Sequence, residues 1–192
     1  IGLAVGLSFP IVSAAGWAPL NAGAVACAEQ LVNGGFETGA AGWQQNNIGG
    51  HELISDFYPH SGRWDAYLGG ANNADDILSQ QATLPATAIS VTLTAWWAIA
   101  TEEAGIGFDR LTASLHGPDG ALLAELWTID SSAAVNIWDQ IETDLTAYRG
   151  QTIRIQFRAT TDDSNLTDFY LDDLSLWVCA PDFAVYLPLI VR

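Results

Sequence analysis

A chain of 192 residues has room for one domain with a well-buried core, and 22 acidic residues against six arginines and no lysine give it a formal charge of -16. No basic patch for phosphates can be assembled on that balance, so nucleic acid and anionic membrane surfaces are excluded as partners while cations are not. A 49% hydrophobic and 10% aromatic composition excludes disorder, and the low charged fraction of 15% leaves Thr, Ser, Asn, Gln and small apolar residues to cover the surface.

Residues 1–26 are almost uncharged. Ile1, Leu3, Val5, Leu7, Phe9 and Ile11 take every odd position, with only Gly, Ala, Ser and Pro between them, which is strand periodicity. One reading is a signal-peptide core, with Ala24-Val25-Ala26 or Ala26-Cys27-Ala28 as a small-residue cleavage site. Pro10, Pro19, the glycines and the lack of charged flanks argue against a membrane span. The other reading is a donor strand that completes the sheet of a second copy, where burying six such side chains contributes on the order of 10 kcal/mol before ordering costs. Head-to-tail donation does not close, so it builds a filament.

Cys27 and Cys179 bracket the remainder. Paired, they close a loop of roughly 150 residues and stabilise the fold by on the order of 4 to 5 kcal/mol; two free thiols are the alternative. A pair is expected, since a bridge fits a secreted, extracellular chain.

Between them run short β-type segments: Gln30 to Glu37, Glu52 to Phe57, Trp64 to Leu68, Ile77 to Leu84, Ile89 to Ala100, Arg110 to Leu115, Ala121 to Ile129, Ile137 to Asp144, Thr152 to Thr160 and Asp168 to Val178. From Ile89 to Trp96 the odd positions are apolar until Trp96 itself; Ile153, Ile155 and Phe157 alternate with Arg154, Gln156 and Arg158; Phe169, Leu171 and Asp173 share a face opposite Tyr170 and Asp172. This is the pattern of antiparallel sheets with one solvated face. The turn His116-Gly117-Pro118-Asp119-Gly120 reads as a hairpin, and Asp162-Asp163-Ser164-Asn165 as a solvated acidic loop that lacks the glycine and distal Glu of a helix-loop-helix calcium site. Residues 180–192 form a second apolar tail, and Asn165-Leu166-Thr167 satisfies the glycosylation pattern. The expected fold class is all-β, a sandwich of two antiparallel sheets spanning 27–179.

No catalytic signature is present. His51, His60 and His116 are scattered, there is no nucleophile elbow or phosphate loop, and there is no third cysteine, so an enzyme is not expected.

Leu31-Val32-Asn33-Gly34-Gly35-Phe36-Glu37 with Gly42-Trp43, then His60 to Gly69, Leu145 to Gln151 before Ile153 to Phe157, and Phe169 to Leu176, resemble in this order the jelly-roll carbohydrate-binding modules of secreted bacterial proteins. The resemblance implies a jelly roll and a structural calcium held by Glu37 and Asp172. Sugar binding implies exposed rings, for which Trp43, Tyr58, Trp64 and Trp138 are the candidates, whereas Trp96, Trp97, Trp127 and Trp177 read as strand-core residues. The scaffold carries sugar binding, adhesion and structural roles alike. Two functions are therefore carried forward: a subunit of an extracellular filament of identical copies, polymerising by donation of residues 1–11, and, as the alternative, a glycan-binding module at the cell surface.

Overall fold

A computed structural model describes residues 24–103, 107–133 and 135–182; the apolar segment from Ile1 to Ile11 and the tail beyond Asp182 lie outside the described residues. Eleven strands and one 3-10 turn make up the described chain: β1 Val25–Glu29, β2 Gln44–Asn46, β3 Ile54–Ser55, β4 Asp65–Gly69, β5 Asp75–Thr83, β6 Ser90–Thr101, β7 Arg110–His116, β8 Leu122–Asp130, β9 Asp139–Asp144, the turn Thr146–Tyr148, β10 Thr152–Thr160 and β11 Thr167–Pro181. They form two antiparallel sheets, ordered β3-β4-β11-β6-β9, with β1 alongside β11, and β2-β5-β10-β7-β8. The fold is a jelly-roll β-sandwich. Among the described residues no helix is long and apolar enough to cross a membrane.

The alternation in sequence becomes the division between core and surface. Leu93, Ala95 and Trp97 of β6 point inward with Phe169 and Leu171 of β11, and they meet Ile153, Ile155 and Phe157 of β10 and Leu111, Ala113 and Leu115 of β7. Burying each large apolar side chain contributes roughly 1.5–3 kcal/mol, and Phe36, Phe157 and Phe169 are wholly buried.

Strand β11 departs from strict alternation. Three residues, from Asp172 to Ser175, advance along β11 while β6 advances only from Trp96 to Thr94. The extra residue of this bulge changes parity, so odd residues face inward before it and Leu174, Leu176 and Val178 after it. Asp173 takes up the bend at φ 45° and leaves the face it shares in sequence with Leu171.

Cys27 and Cys179 are directly opposite on β1 and β11 and are disulfide-bonded across 152 residues. The bridge staples neighbouring strands of one sheet and ties the start of the described fold to its end.

The segment Gln30 to Glu37, expected to be a strand, is an irregular loop. Asn33 and Phe36 both stand at φ 57°, which a strand does not accommodate. The Asn33 side chain ties the loop together, donating to Gly39 O at 2.8 Å and accepting from Thr38 N at 3.0 Å. Gly34 lies so close to the β11 bulge that a Cβ on it would stand 1.8 Å from the carbonyl oxygen of Leu174. Below, the buried Gln80 side chain bonds both the N–H and the C=O of Val32, at 2.7 and 2.9 Å.

Candidate functional site

The outward faces of the two sheets differ in kind. On the β2-β5-β10-β7-β8 sheet the outer residues are mostly polar: Arg110, Thr112, Ser114 and His116 of β7 border Gln156 and Arg158 of β10 and Leu122 of β8 in a shallow groove that holds no Trp, Tyr or Phe. Arg158 makes a two-pronged pair with Asp75 at 2.6 and 2.7 Å, which raises the guanidinium pKa further and holds the Asp75 carboxyl below its usual range.

The outer face of the other sheet is paved with rings. Trp96 on β6, Tyr170 on β11 and Tyr67 on β4 all point away from the core, because each has the opposite parity to its buried neighbours. The loop between β3 and β4 folds over this face and adds Phe57, Tyr58 and His60, and Trp138 comes from just before β9. A continuous chain of contacts results. Phe57 meets Tyr67 edge-on at 5.1 Å between centroids, Tyr67 meets Tyr170 at 5.5 Å, and Tyr170 meets Tyr58 at 5.3 Å. Tyr58 stacks on Trp138 at 5.7 Å with 11° between planes, and His60 lies between Trp138 and Trp96, stacked on the latter at 3.9 Å.

Polar groups fix these rings. The Tyr67 hydroxyl donates to Asp168 Oδ1 at 2.9 Å, and the Tyr58 hydroxyl reaches Asn136 O at 3.3 Å. Burial, followed by the Asp168 carboxylate, pushes the Tyr67 and Tyr170 hydroxyls up, so both stay protonated donors at any physiological pH. Phe57 remains 68% exposed and Tyr58 37% exposed, leaving ring faces open to a ligand.

The same loop is anchored by the acidic residues expected to hold a metal. Asp172 Oδ2 accepts the N–H groups of His60 and Ser61 at 2.9 and 3.0 Å, and Glu37 Oε1 accepts those of Arg63 and Trp64 at 2.7 and 3.0 Å. His60 Nδ1 sits 2.7 Å from Asp173 Oδ2. Although Asp172 belongs to the outer face, the loop covers it completely; burial pushes its carboxyl up to about 6 against the lowering effect of the Ser61, Asp173 and His60 amides. Glu37 is held low, chiefly by the Trp64 and Arg63 amides. Ligand atoms of His60, Asp172 and Asp173 lie within 4.8 Å of one another, and Glu37 is outside that group. What the acidic pair does is pin one loop from two distant segments, and these oxygens suit a hard cation.

Of the four rings predicted for sugar, Tyr58 and Trp138 stand together on the aromatic face. Trp43 does not: it is 6% exposed, packs between Phe36 and Phe157, and donates its indole N–H to Asn33 O at 3.0 Å. Its place beside Gly42 suggested a loop, but the loop turns it inward to plug the sandwich. Trp64 is half-buried against the core with the Arg63 guanidinium 4.9 Å over its ring. Trp96, expected in the core, lies on the aromatic face, as its shared parity with Thr92 and Thr94 already signalled. Trp177 is 48% exposed, while Trp97 is buried. Phe57, His60, Tyr67 and Tyr170 were missed; the parity of Tyr170 against Phe169 and Leu171 was the available signal, and no local signal marks the loop residues.

No protein-family model and no curated protein matches the chain. Solved structures match its fold. One is a family 61 carbohydrate-binding module in complex with β-1,4-galactotriose, 13% identical at a TM-score of 0.56, covering 81% of this chain and 100% of that one. Another is the K3 cleaved adhesin domain of Lys-gingipain from Porphyromonas gingivalis W83, 19% identical at 0.54, covering 78% and 98%. A third is the family 22 xylan-binding domain from Paenibacillus barcinonensis, 12% identical at 0.50, covering 82% and 96%. The chain therefore has the jelly-roll fold of carbohydrate-binding modules and adhesin domains, and its ligand has to be argued from the face just described.

Proposed function

We propose that this chain is a non-catalytic glycan-binding module of an extracellular or cell-surface protein, and that it binds through the aromatic outer face of the β3-β4-β11-β6-β9 sheet. The observation that carries the reading is the paving of an outer sheet surface with rings in mutual contact, topped by the exposed Phe57 and Tyr58 over the half-buried Tyr67 and Trp96 and the buried Tyr170, where an antiparallel sandwich ordinarily places polar side chains. Pyranose rings present apolar faces that stack on such surfaces, and hydroxyls that Asp168, Asn136 and Gln140 at its margins can meet. The charge of -16 and the carboxylates near these rings disfavour uronates and sulfated sugars, so neutral glycans are the substrate class. The disulfide fits an oxidising compartment.

The glycan reading is favoured over self-polymerisation by the aromatic outer face and by the likeness of the fold to carbohydrate-binding modules. A structural calcium at Glu37 and Asp172 belongs to the same proposal, since it would hold the loop that delivers Phe57, Tyr58 and His60; removing calcium would then weaken sugar binding indirectly.

A glycan array of neutral and anionic sugars, followed by calorimetry on the best ligand, tests the proposal. Phe57→Ala, Tyr58→Ala and Trp138→Ala should each weaken binding about tenfold, the equivalent of roughly 1.4 kcal/mol. Unchanged affinity in all three variants, or hits confined to anionic glycans, refutes it.

A further inference from the structure

Three carboxylates meet at one end of the sandwich, in the β6–β7 and β10–β11 connections. Glu103 follows the end of β6, Asp109 immediately precedes β7, and Asp162 follows the end of β10. One oxygen of each lies within 4.8 Å of the other two. By itself an acidic cluster means little. Here, however, Asp109 is wholly buried and its Oδ2 has no hydrogen-bond partner among the described residues, and the buried Oε1 of Glu103 is likewise unpartnered.

Among the described residues no ion pair reaches the group. Arg110, beside it in sequence, donates its Nε to Gly107 O at 3.1 Å and acts on the Asp130 carboxyl. The ion pairs among the described residues involve His60, Arg63 and Arg158, all elsewhere. A buried carboxylate oxygen without hydrogen bond or counter-charge is costly, and Asp109 and Glu103 each carry one within a group that draws three carboxylates together, an arrangement that a bound cation relieves.

The surrounding backbone is tied down by bonds that leave these oxygens free. Glu103 N donates to Thr101 Oγ1 at 3.0 Å, Glu102 N to Leu166 O at 2.9 Å, and Asp162 N to Asp109 Oδ1 at 2.8 Å. Calcium takes six to eight oxygen ligands, carboxylates among them, whereas magnesium is usually held by one or two carboxylates and keeps most of its waters. A set of three carboxylates therefore suits calcium, with water completing the shell.

We propose that Glu103, Asp109 and Asp162 form a calcium site, separate from the Glu37 and Asp172 region. The sequence reads the Asp162 loop as solvated; in this proposal Asp162 joins Glu103 and Asp109, so the ligands come from two loops, the β6–β7 and β10–β11 connections, and not from one. Because β6 belongs to one sheet and β7 and β10 to the other, the ion staples the two sheets together. It does so at the end of β6 opposite Ser90, which pairs with the disulfide residue Cys179.

Calcium bound by the full chain is to be measured by equilibrium dialysis with elemental analysis, and its effect by thermal unfolding with and without calcium. Asp172→Asn serves as the background that removes the other acidic group. In that background the protein should still bind one calcium, and calcium should still raise the melting temperature. Adding Glu103→Gln should weaken that affinity at least tenfold and abolish the thermal shift. Asp162→Asn should act in the same direction, so the proposal stays testable if Asp109→Asn fails to fold. Calcium binding unchanged by both Glu103→Gln and Asp162→Asn overturns the site, as does tighter binding of magnesium than of calcium. Loss of glycan binding in Tyr58→Ala with calcium uptake intact separates this site from the glycan proposal.

Discussion

Replacing Gly34 by alanine tests how the aromatic face is supported. Gly34 passes against the β11 bulge, where its carbonyl accepts Leu174 N at 3.0 Å, and a Cβ would stand 1.8 Å from Leu174 O. Both partners are backbone, so neither can swing away; the two segments must part by more than about 1 Å, as in severe overpacking. That parting costs about 1–3 kcal/mol for the strained packing and about 1 kcal/mol for the lost hydrogen bond, for a total of about 3 kcal/mol. Gly39→Ala is the control. Gly39 stands at φ +66° with no atom within 4 Å of its Cβ position, so alanine there costs about 1 kcal/mol of backbone strain alone. In urea unfolding, with a slope of about 2 kcal/mol per molar, Gly34→Ala should lower the midpoint by about 1.5 M and Gly39→Ala by about 0.5 M. Asp172 and Asp173 lie on the displaced bulge and hold the Tyr58 loop, so Gly34→Ala should also weaken ligand binding. Equal midpoints for the two variants would refute the close approach.

Reducing the disulfide, or replacing Cys27 and Cys179 together by serine, should cost about 5 kcal/mol in the chain-entropy model and lower the melting temperature by about 10–20 °C; a shift under about 3 °C by calorimetry counts against it. Trp43→Ala should cost about 3–5 kcal/mol in chemical unfolding, whereas Tyr58→Ala should leave stability within about 1 kcal/mol while weakening binding about tenfold; the reverse order would refute the placing of Trp43 in the core and of Tyr58 on the binding face. Asp75 has its folded pKa depressed by Arg158, so the pair's contribution is present above the unfolded value of 3.8 and is lost as pH falls through the lower folded value. Arg158→Gln should therefore reduce stability by less than about 1 kcal/mol at pH 7, since the pair is half-exposed, and by nothing measurable at pH 2; an equal loss at both pH values would refute the ionic origin.

The alternation of Ile153, Ile155 and Phe157 with polar residues is a local property of the chain. With the like alternation in β6 and β11 it determined the all-β class and the inner faces of the strands, whereas Trp96, read from the sequence as a strand-core residue, lies on the outer face. The two cysteines, alone in the sequence and flanking the strands, likewise determined their own pairing. Tertiary structure alone decided the rest. Whether Trp43 is platform or plug depends on which way the loop after Phe36 turns, and that is set by Phe157, more than a hundred residues away. Asp172 is buried only because a loop from between β3 and β4 closes over it, while the bulge beside it is visible in the sequence as the shift of apolar positions from Phe169 and Leu171 to Leu174, Leu176 and Val178. Glu103, Asp109 and Asp162 show no ligand motif in the chain; their proximity comes from strand order, which brings the β6–β7 and β10–β11 connections together, and a contact between two loops leaves no periodic trace in either.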